Sequence, residues 1–381
     1  MRYSFDNNVL TIYLEGELNS YNATGVESEI EAILNKQSFD KLVLDFSRIR
    51  YISSAGLRVV LKLKQRYQDF SIVETTLEVY DILEMTGFTN IMDIRKALNS
   101  VSIQGAEVIG DGFTATVYRL NKDTIIKVFK ENRDIEKIER ELKLAKEAFI
   151  LGIPTAISFD VVKVDDKYGV RFEMLDCNSL QEVAVNHPEK LKEYLDKYAA
   201  LLKKMNTTEC LNPSIPNIKE SFVNKFIGIK EHIPSNYYEK ALRMLNEIPD
   251  THTLIHGDCH FKNIMVQKDE LVLIDMDSLS VGNPIFELAG LHFAYVAFDE
   301  CGEGSTNFFN VSKENCSALY NALINRYFGK DDKAIKDKIA IVSFIHMMFW
   351  NKRNEKDNIV RFNAAKELLF KLLDKYGDLI I

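Results

Sequence analysis

Twelve residues constrain this chain more than any others: Leu254–Met265 reads LIHGDCHFKNIM, and a short apolar run, Leu271–Ile274, then ends in Asp275-Met276-Asp277. The D-x-x-x-x-N spacing puts an acid that can take a hydroxyl proton, Asp258, near an amide oxygen, Asn263, and Asp275 adds a second oxygen donor at a strand end. Magnesium is a hard cation that takes one or two protein carboxylates and fills its octahedron with water and phosphate oxygens, so Asn263 and Asp275 fit its needs. Asp258 would then orient an attacking hydroxyl while the cation offsets charge on a phosphoryl group in transit.

Upstream segments supply what such chemistry needs. Val108–Leu120, VIGDGFTATVYRL, breaks two strand-like runs with Gly110 and Gly112 before Thr114. Glycines there let backbone approach phosphate oxygens, although a tight hairpin alone explains them. The strand Thr124–Lys130 carries Lys127, which points to the face opposite Ile126 and Val128. A helix over Ile135–Phe149 offers Glu141 as its ion-pair partner, with Glu139 as the competing candidate. The strand Gly169–Met174 leads into a crossover where Met174 and Asp176 are expected to offer backbone groups to an adenine.

Other reactive side chains near Asp258 have plainer roles. His256, before a Gly-Asp turn, is expected to brace the loop by hydrogen bonds, and His260 to support it. A helical zinc site through these two histidines is disfavoured by the intervening Gly257. Cys259 lacks a separate base and oxyanion signal, so it reads as a bystander.

The chain has 381 residues and a formal charge of −8, so it exceeds one ordinary core and lacks the broad positive field that draws proteins to nucleic acid or anionic lipid. Five widely spaced cysteines without a C-x-x-C pair argue for reduced thiols and a cytoplasmic protein. No apolar run is long enough for a membrane span, and Met1–Leu10 is not a secretory signal.

Before the long segment, strand patterns at Val9–Glu15 and Lys41–Phe46 alternate with helical patterns at Asn22–Leu34, Ala55–Tyr67 and Leu77–Thr86. Residues 1–98 therefore form a small sheet-and-helix domain. Residues 99–104 read as a linker, and 105–381 as a second domain with an N-lobe over 105–174 and a helical C-lobe over 179–381. The fold class is α/β plus α+β.

HGDCHFKN followed by LIDMDSLSVGNPIFELA resembles the catalytic loop and metal segment of the aminoglycoside phosphotransferase and choline kinase superfamily. The resemblance implies a bilobal protein-kinase-like fold, with Asp258 as catalytic base, Asn263 and Asp275 as Mg2+ ligands, and Lys127 and Glu141 as the ion pair at the ATP site. Glu287 stands where that superfamily usually has an aspartate, a departure that touches structural support. The acceptor does not carry over. Asp299, Glu300 and Glu303 are available should it bear amines, although acidic runs are ordinarily solvated faces.

LVLDFSRIRYISSAGL, Leu42–Leu57, resembles the signature of STAS domains, the anti-sigma-factor antagonists. That resemblance implies a protein partner and a regulatory phosphosite at Ser54. Capping of the helix that begins near Ala55 explains Ser53 or Ser54 equally well. The expected activity is Mg2+- and ATP-dependent transfer to a small-molecule hydroxyl. The competing expectations are a kinase directed at Ser54 and a nucleotide-binding scaffold without turnover.

Overall fold

The computed structural model describes residues 1–36, 38–112, 114–131, 133–175, 177–302, 304–353 and 359–380. It separates into two compact units, Met1–Ser102 and Ile103–Ile381.

In the first unit, β1 (Arg2–Asp6) and β2 (Val9–Leu18) form an antiparallel hairpin. Its two-residue turn places Asn7 and Asn8 at φ 48° and 63°, the left-handed pair that matches the twist of flanking strands. Three helices, α1 (Ala23–Leu34), α2 (Ser54–Arg66) and α3 (Leu77–Met85), then connect β3 (Lys41–Ile52), β4 (Phe70–Thr75) and β5 (Asp93–Lys96). Strands β2 to β5 run parallel in the order β1-β2-β3-β4-β5, and each parallel pair requires such a helical crossover. Leu10, Ile12, Leu42, Leu44, Ile72, Val60 and Leu83 are fully buried between sheet and helices. A short strand, β6 (Asn99–Ser100), lies within the segment read from the sequence as linker.

The second unit opens with β7 (Glu107–Asp111), β8 (Ala115–Arg119), β9 (Thr124–Phe129), α4 (Ile135–Ile150), β10 (Ser158–Val164) and β11 (Lys167–Glu173). These strands pair antiparallel in the order β10-β11-β9-β8-β7. Lys127 sits mid-sheet on β9, in register with Val117 of β8 and Val170 of β11. Helix α4 packs on β10 and β11 through an apolar stripe including Ile138, Leu144, Ala145 and Ala148.

The remainder is helical around three small strand pairings. It contains β12 (Asn178–Ser179), α5 (Leu180–Asn186), α6 (Leu191–Thr207), α7 (Ile218–Ile227), α8 (Ser235–Glu247) and β13 (Leu254–Ile255). There follow β14 (Ile264–Gln267), β15 (Glu270–Leu273), β16 (Ser280–Val281), α9 (Ile285–His292), α10 (Phe298–Glu300), α11 (Ser305–Phe309), α12 (Lys313–Phe328), α13 (Lys333–Arg353) and α14 (Ile359–Lys375). Tyr198, Phe226, Phe261, Phe286, Tyr295 and Phe309 are the largest fully buried side chains of its core.

Candidate active site

Two strand pairings bring the motif together. In β13 and β16, Leu254 faces Val281 and Ile255 faces Ser280, which clamps both ends of the segment 256–279. Inside it β14 and β15 form a hairpin pairing Ile264 with Leu273. Its open end joins Ile274 N to Asn263 O at 3.0 Å, so Asn263 and Asp275 emerge side by side.

The loop between β13 and β14 is held from several directions. His256 is fully buried. Its Nε2–H donates to Ile274 O at 3.1 Å, and its Nδ1 accepts from Asp258 N at 3.3 Å. Burial pushes the imidazole pKa down, which keeps it in this neutral tautomer, the bracing role expected from the sequence. Gly257 has φ +83°, and a Cβ there would stand 2.9 Å from Ser278 O, so the turn needs glycine. Glu287, in the first turn of α9, accepts from His256 N at 2.5 Å and from Gly257 N at 3.4 Å. Tyr295 OH accepts from Phe261 N at 2.8 Å, and Tyr198 OH donates to the carbonyl of Cys259, whose thiol is buried.

At the loop's centre, Asn263 Nδ2 donates to Asp258 O at 2.9 Å and to Asp258 Oδ2 at 3.2 Å. The amide nitrogen thus faces the acid and turns the amide oxygen away from it. Half of the Asp258 side chain remains open. Even so, the packing around it, and after that the charges of Asp275, Asp277 and Glu287, push its carboxyl up to about 7. Solvent at the open half screens part of that repulsion. Such a group is a carboxylate poised to take a proton near neutral pH.

Asp275 occupies a left-handed conformation, φ 62°, a conformation short polar residues tolerate at some cost. Its Oδ1 accepts from Lys127 Nζ at 2.6 Å. Burial alone would raise the Asp275 pKa, but the charge and hydrogen bond of Lys127 outweigh it and hold the carboxyl low. Asp277, two residues on, is raised by burial and then by Asp275. Asp275 and Asn263 together offer a carboxylate and an amide carbonyl, the hard oxygen set that suits Mg2+. Among the described residues, no three His, Cys, Asp or Glu side chains gather to hold a metal.

Lys127, Asp258, Asn263 and Asp275 all line one cleft of about 750 Å3, together with Gly110, Gly112, Thr114, Glu141 and Met174. Two expectations from the sequence change in detail. Glu141 does not pair with Lys127: its Oε1 accepts from Arg133 Nη1 at 2.8 Å, and Lys127 turns to Asp275 instead. Arg133 is close enough to intercept the helix carboxylate and has no motif to announce it. Met174 lines the cleft, but its N–H is donated to Asp123 O at 2.9 Å, which leaves its carbonyl as the group available to a base. Asp176, the other hinge candidate, lies outside the described residues.

The glycine segment forms the tight hairpin that alone explains its two glycines. Gly112 N–H closes the turn on Ala115 O at 2.9 Å, and a Cβ on Gly110 would meet Val117 at an ordinary 3.6 Å. Neither Asp299 nor Glu300 is among the residues lining the cleft. Asp299 is buried, with Oδ1 accepting from Gly304 N at 3.3 Å, and Glu303 lies outside the described residues. Sequence reasoning passed over Lys262 and Phe308, which both line the cleft. The first was legible beside Asn263; the second had no signal.

In the first unit, Ser53 caps α2, its Oγ accepting from Ala55 N at 3.2 Å and Gly56 N at 3.5 Å. Ser54 is the first helical residue and exposed. Gly56 admits no side chain, since a Cβ would stand 2.5 Å from Leu18 O.

Comparison with known proteins places two families on the chain. Residues 105–309 match the phosphotransferase enzyme family and residues 2–101 match the STAS domain. BtrV of Bordetella bronchiseptica, which carries the name of an anti-sigma factor antagonist, is 38% identical over 90 residues, 23% of this chain and 77% of that protein. The anti-sigma F factor antagonist of Paenibacillus polymyxa is 24% identical over 90 residues, with the same 23% and 77% coverage. Among solved structures, a choline/ethanolamine kinase family protein from Mesorhizobium loti aligns with a TM-score of 0.47 at 13% identity, covering 71% of this chain and 91% of its own. ADP-bound aminoglycoside phosphotransferase APH(2'')-Ib aligns with a TM-score of 0.47 at 17% identity, covering 77% and 98%.

Proposed function

The chain belongs to the phosphotransferase enzyme family and carries a STAS domain ahead of that region, and on that premise we propose that it transfers the γ-phosphoryl group of ATP to a hydroxyl of a small molecule. The observation that carries this is the convergence of Lys127, Asp258, Asn263 and Asp275 on one cleft that Gly110 and Gly112 also line. Asp258 holds the acceptor hydroxyl and takes its proton as the new O–P bond forms. Lys127 leaves Asp275 for the nucleotide phosphates. Asn263 and Asp275 would hold Mg2+, which supplies charge neutralisation between the transferring group and its leaving oxygen. His256, Gly257 and Glu287 keep Asp258 in place throughout.

The test uses ATP turnover against a panel of amino alcohols, sugars, hydroxy acids and aminoglycosides. Asp258→Asn should lower kcat about 100-fold or more, with affinity for Mg-ATP retained. Equal turnover by the variant removes Asp258 from the role of base.

A second use of the same chemistry is favoured by the exposed Ser54 at the first position of α2. Phosphate there would meet the positive end of the helix dipole, while adding about two negative charges to the surface. Such a mark would let the STAS unit regulate the kinase or recruit a protein partner. Incubation with Mg-ATP followed by mass spectrometry decides this. An unmodified peptide over Ser54, under conditions where small-molecule transfer proceeds, counts against it.

A further inference from the structure

We propose that the phosphoryl acceptor carries an anionic group, a carboxylate or a phosphate, which Lys262 holds beside the ring of Phe308. This rests on the kinase function proposed above and deepens it.

Lys262 sits in the 3-10 turn Phe261–Asn263, directly before the metal-facing amide, and it lines the cleft with Asp258, His260 and Phe308. Lys127 and Lys262 are the basic side chains among the described residues lining that cleft. Lys127 is engaged by Asp275, Asp111 by Lys130, and Glu141 by Arg133. Lys262 is left without an ion pair among the described residues, its Nζ resting 4.0 Å from the ring centroid of Phe308.

Phe308 is 48% exposed, so it offers an apolar face at the cleft mouth. His260 joins this rim to the reacting end. Its ring lies edge-on to Phe308 at 5.2 Å, and its Nε2 stands 3.5 Å from Asp258 Oδ1. Lys262 supplies the cationic side chain on this side of the cleft.

Contact by contact, the groups therefore run from carboxylate to imidazole to phenyl ring to cation. A molecule with its hydroxyl at Asp258 would lay its carbon skeleton on Phe308 and put an anion at Lys262. The cation would be better satisfied by that anion than by the face of an uncharged ring. Polyamine acceptors would meet the same unpaired cation, with Asp299 and Glu300 away from the lining.

The full chain, saturated with Mg2+ and the non-hydrolysable analogue AMP-PNP, is titrated by calorimetry with glycerate, glycerol 3-phosphate, glycerol and choline. One or both anionic probes should bind about ten-fold or more tighter than glycerol. The ranking of glycerate against glycerol 3-phosphate tells carboxylate from phosphate. Lys262→Ala should abolish the preference, and Phe308→Ala should weaken the preferred probe while leaving the preference for anions. The proposal is overturned if glycerol or choline binds best, if neither anionic probe binds at millimolar concentration, or if Lys262→Ala keeps the preference. It is also overturned if that variant loses AMP-PNP affinity in proportion, which would assign Lys262 to the nucleotide phosphates. Failure of the unaltered chain to bind Mg-AMP-PNP at all strikes the kinase function itself and this proposal with it.

Discussion

Replacing Glu287 with Gln tests the electrostatics beneath the loop that carries Asp258 and Asn263. Glu287 is 1% exposed, its Oε2 takes two backbone N–H groups, and its Oε1 has no hydrogen-bond partner among the described residues. Burial raises its carboxyl from 4.5 to about 7, against the smaller downward pull of those two donors. An acid with a higher pKa folded than unfolded binds its proton more tightly in the native state. Its stabilisation is therefore full below pH 4.5 and is lost as pH rises through 7. At 1.36 kcal/mol per unit the difference amounts to about 3 kcal/mol. Glutamine keeps an oxygen for His256 N and does not titrate. The stability of Glu287→Gln relative to the unaltered chain should accordingly rise by about 3 kcal/mol between pH 4.5 and pH 8.

Trp350 makes this measurable. It is the chain's single tryptophan, lies on α13 and packs against Phe293 and Phe298. Its fluorescence in urea reports the second unit alone, which avoids treating two units as one transition. Asp258 titrates in both proteins and largely cancels in the difference. A relative stability that stays flat across this pH range refutes the burial argument for Glu287.

Gly257→Ala should destabilise the second unit by about 1–3 kcal/mol, because the left-handed turn and the contact with Ser278 both oppose a Cβ; an unchanged urea midpoint would show that the loop relaxes freely. Ser53→Ala should cost the first unit about 1 kcal/mol through loss of the α2 cap, and Ser54→Ala much less; equal costs would put the cap on the wrong serine. With Asp258 as the proposed base and its carboxyl raised to about 7, kcat/KM should rise with pH through about 7 and level off above it. Asp277→Asn, by removing one repelling charge, should move that limb to lower pH, and an upward move would contradict the assigned repulsion.

The residues that meet in the cleft were legible because their spacing is local: five positions from Asp258 to Asn263, then a hairpin that returns the chain to Asp275. Lys127 was legible from alternation in β9. What escaped depends on partners distant in sequence. β1 is an exposed edge strand with no buried face to pattern it, and β4 and β5 are short parallel strands set by neighbours in the sheet. Arg133 intercepts Glu141, and Asp123 occupies the N–H of Met174, through contacts that no periodicity encodes. Phe308 reaches the cleft only because α11 folds back past His260.

The hairpin of β14 and β15 acts as a ruler whose scale is read at one end. Its tip, Lys268 and Asp269, adopts the paired left-handed turn, φ 48° and 66°, so loop variation there would project outward and leave Asn263 and Asp275 facing as they do. Such a change gives up the bonds from Tyr194 and Lys197 to Asp269 and little else. Losing one residue from either strand is a different matter, because a single-residue slip would rotate an oxygen donor to the far side of the sheet. Relatives and engineered variants should therefore differ in length at this tip and hold constant along its arms.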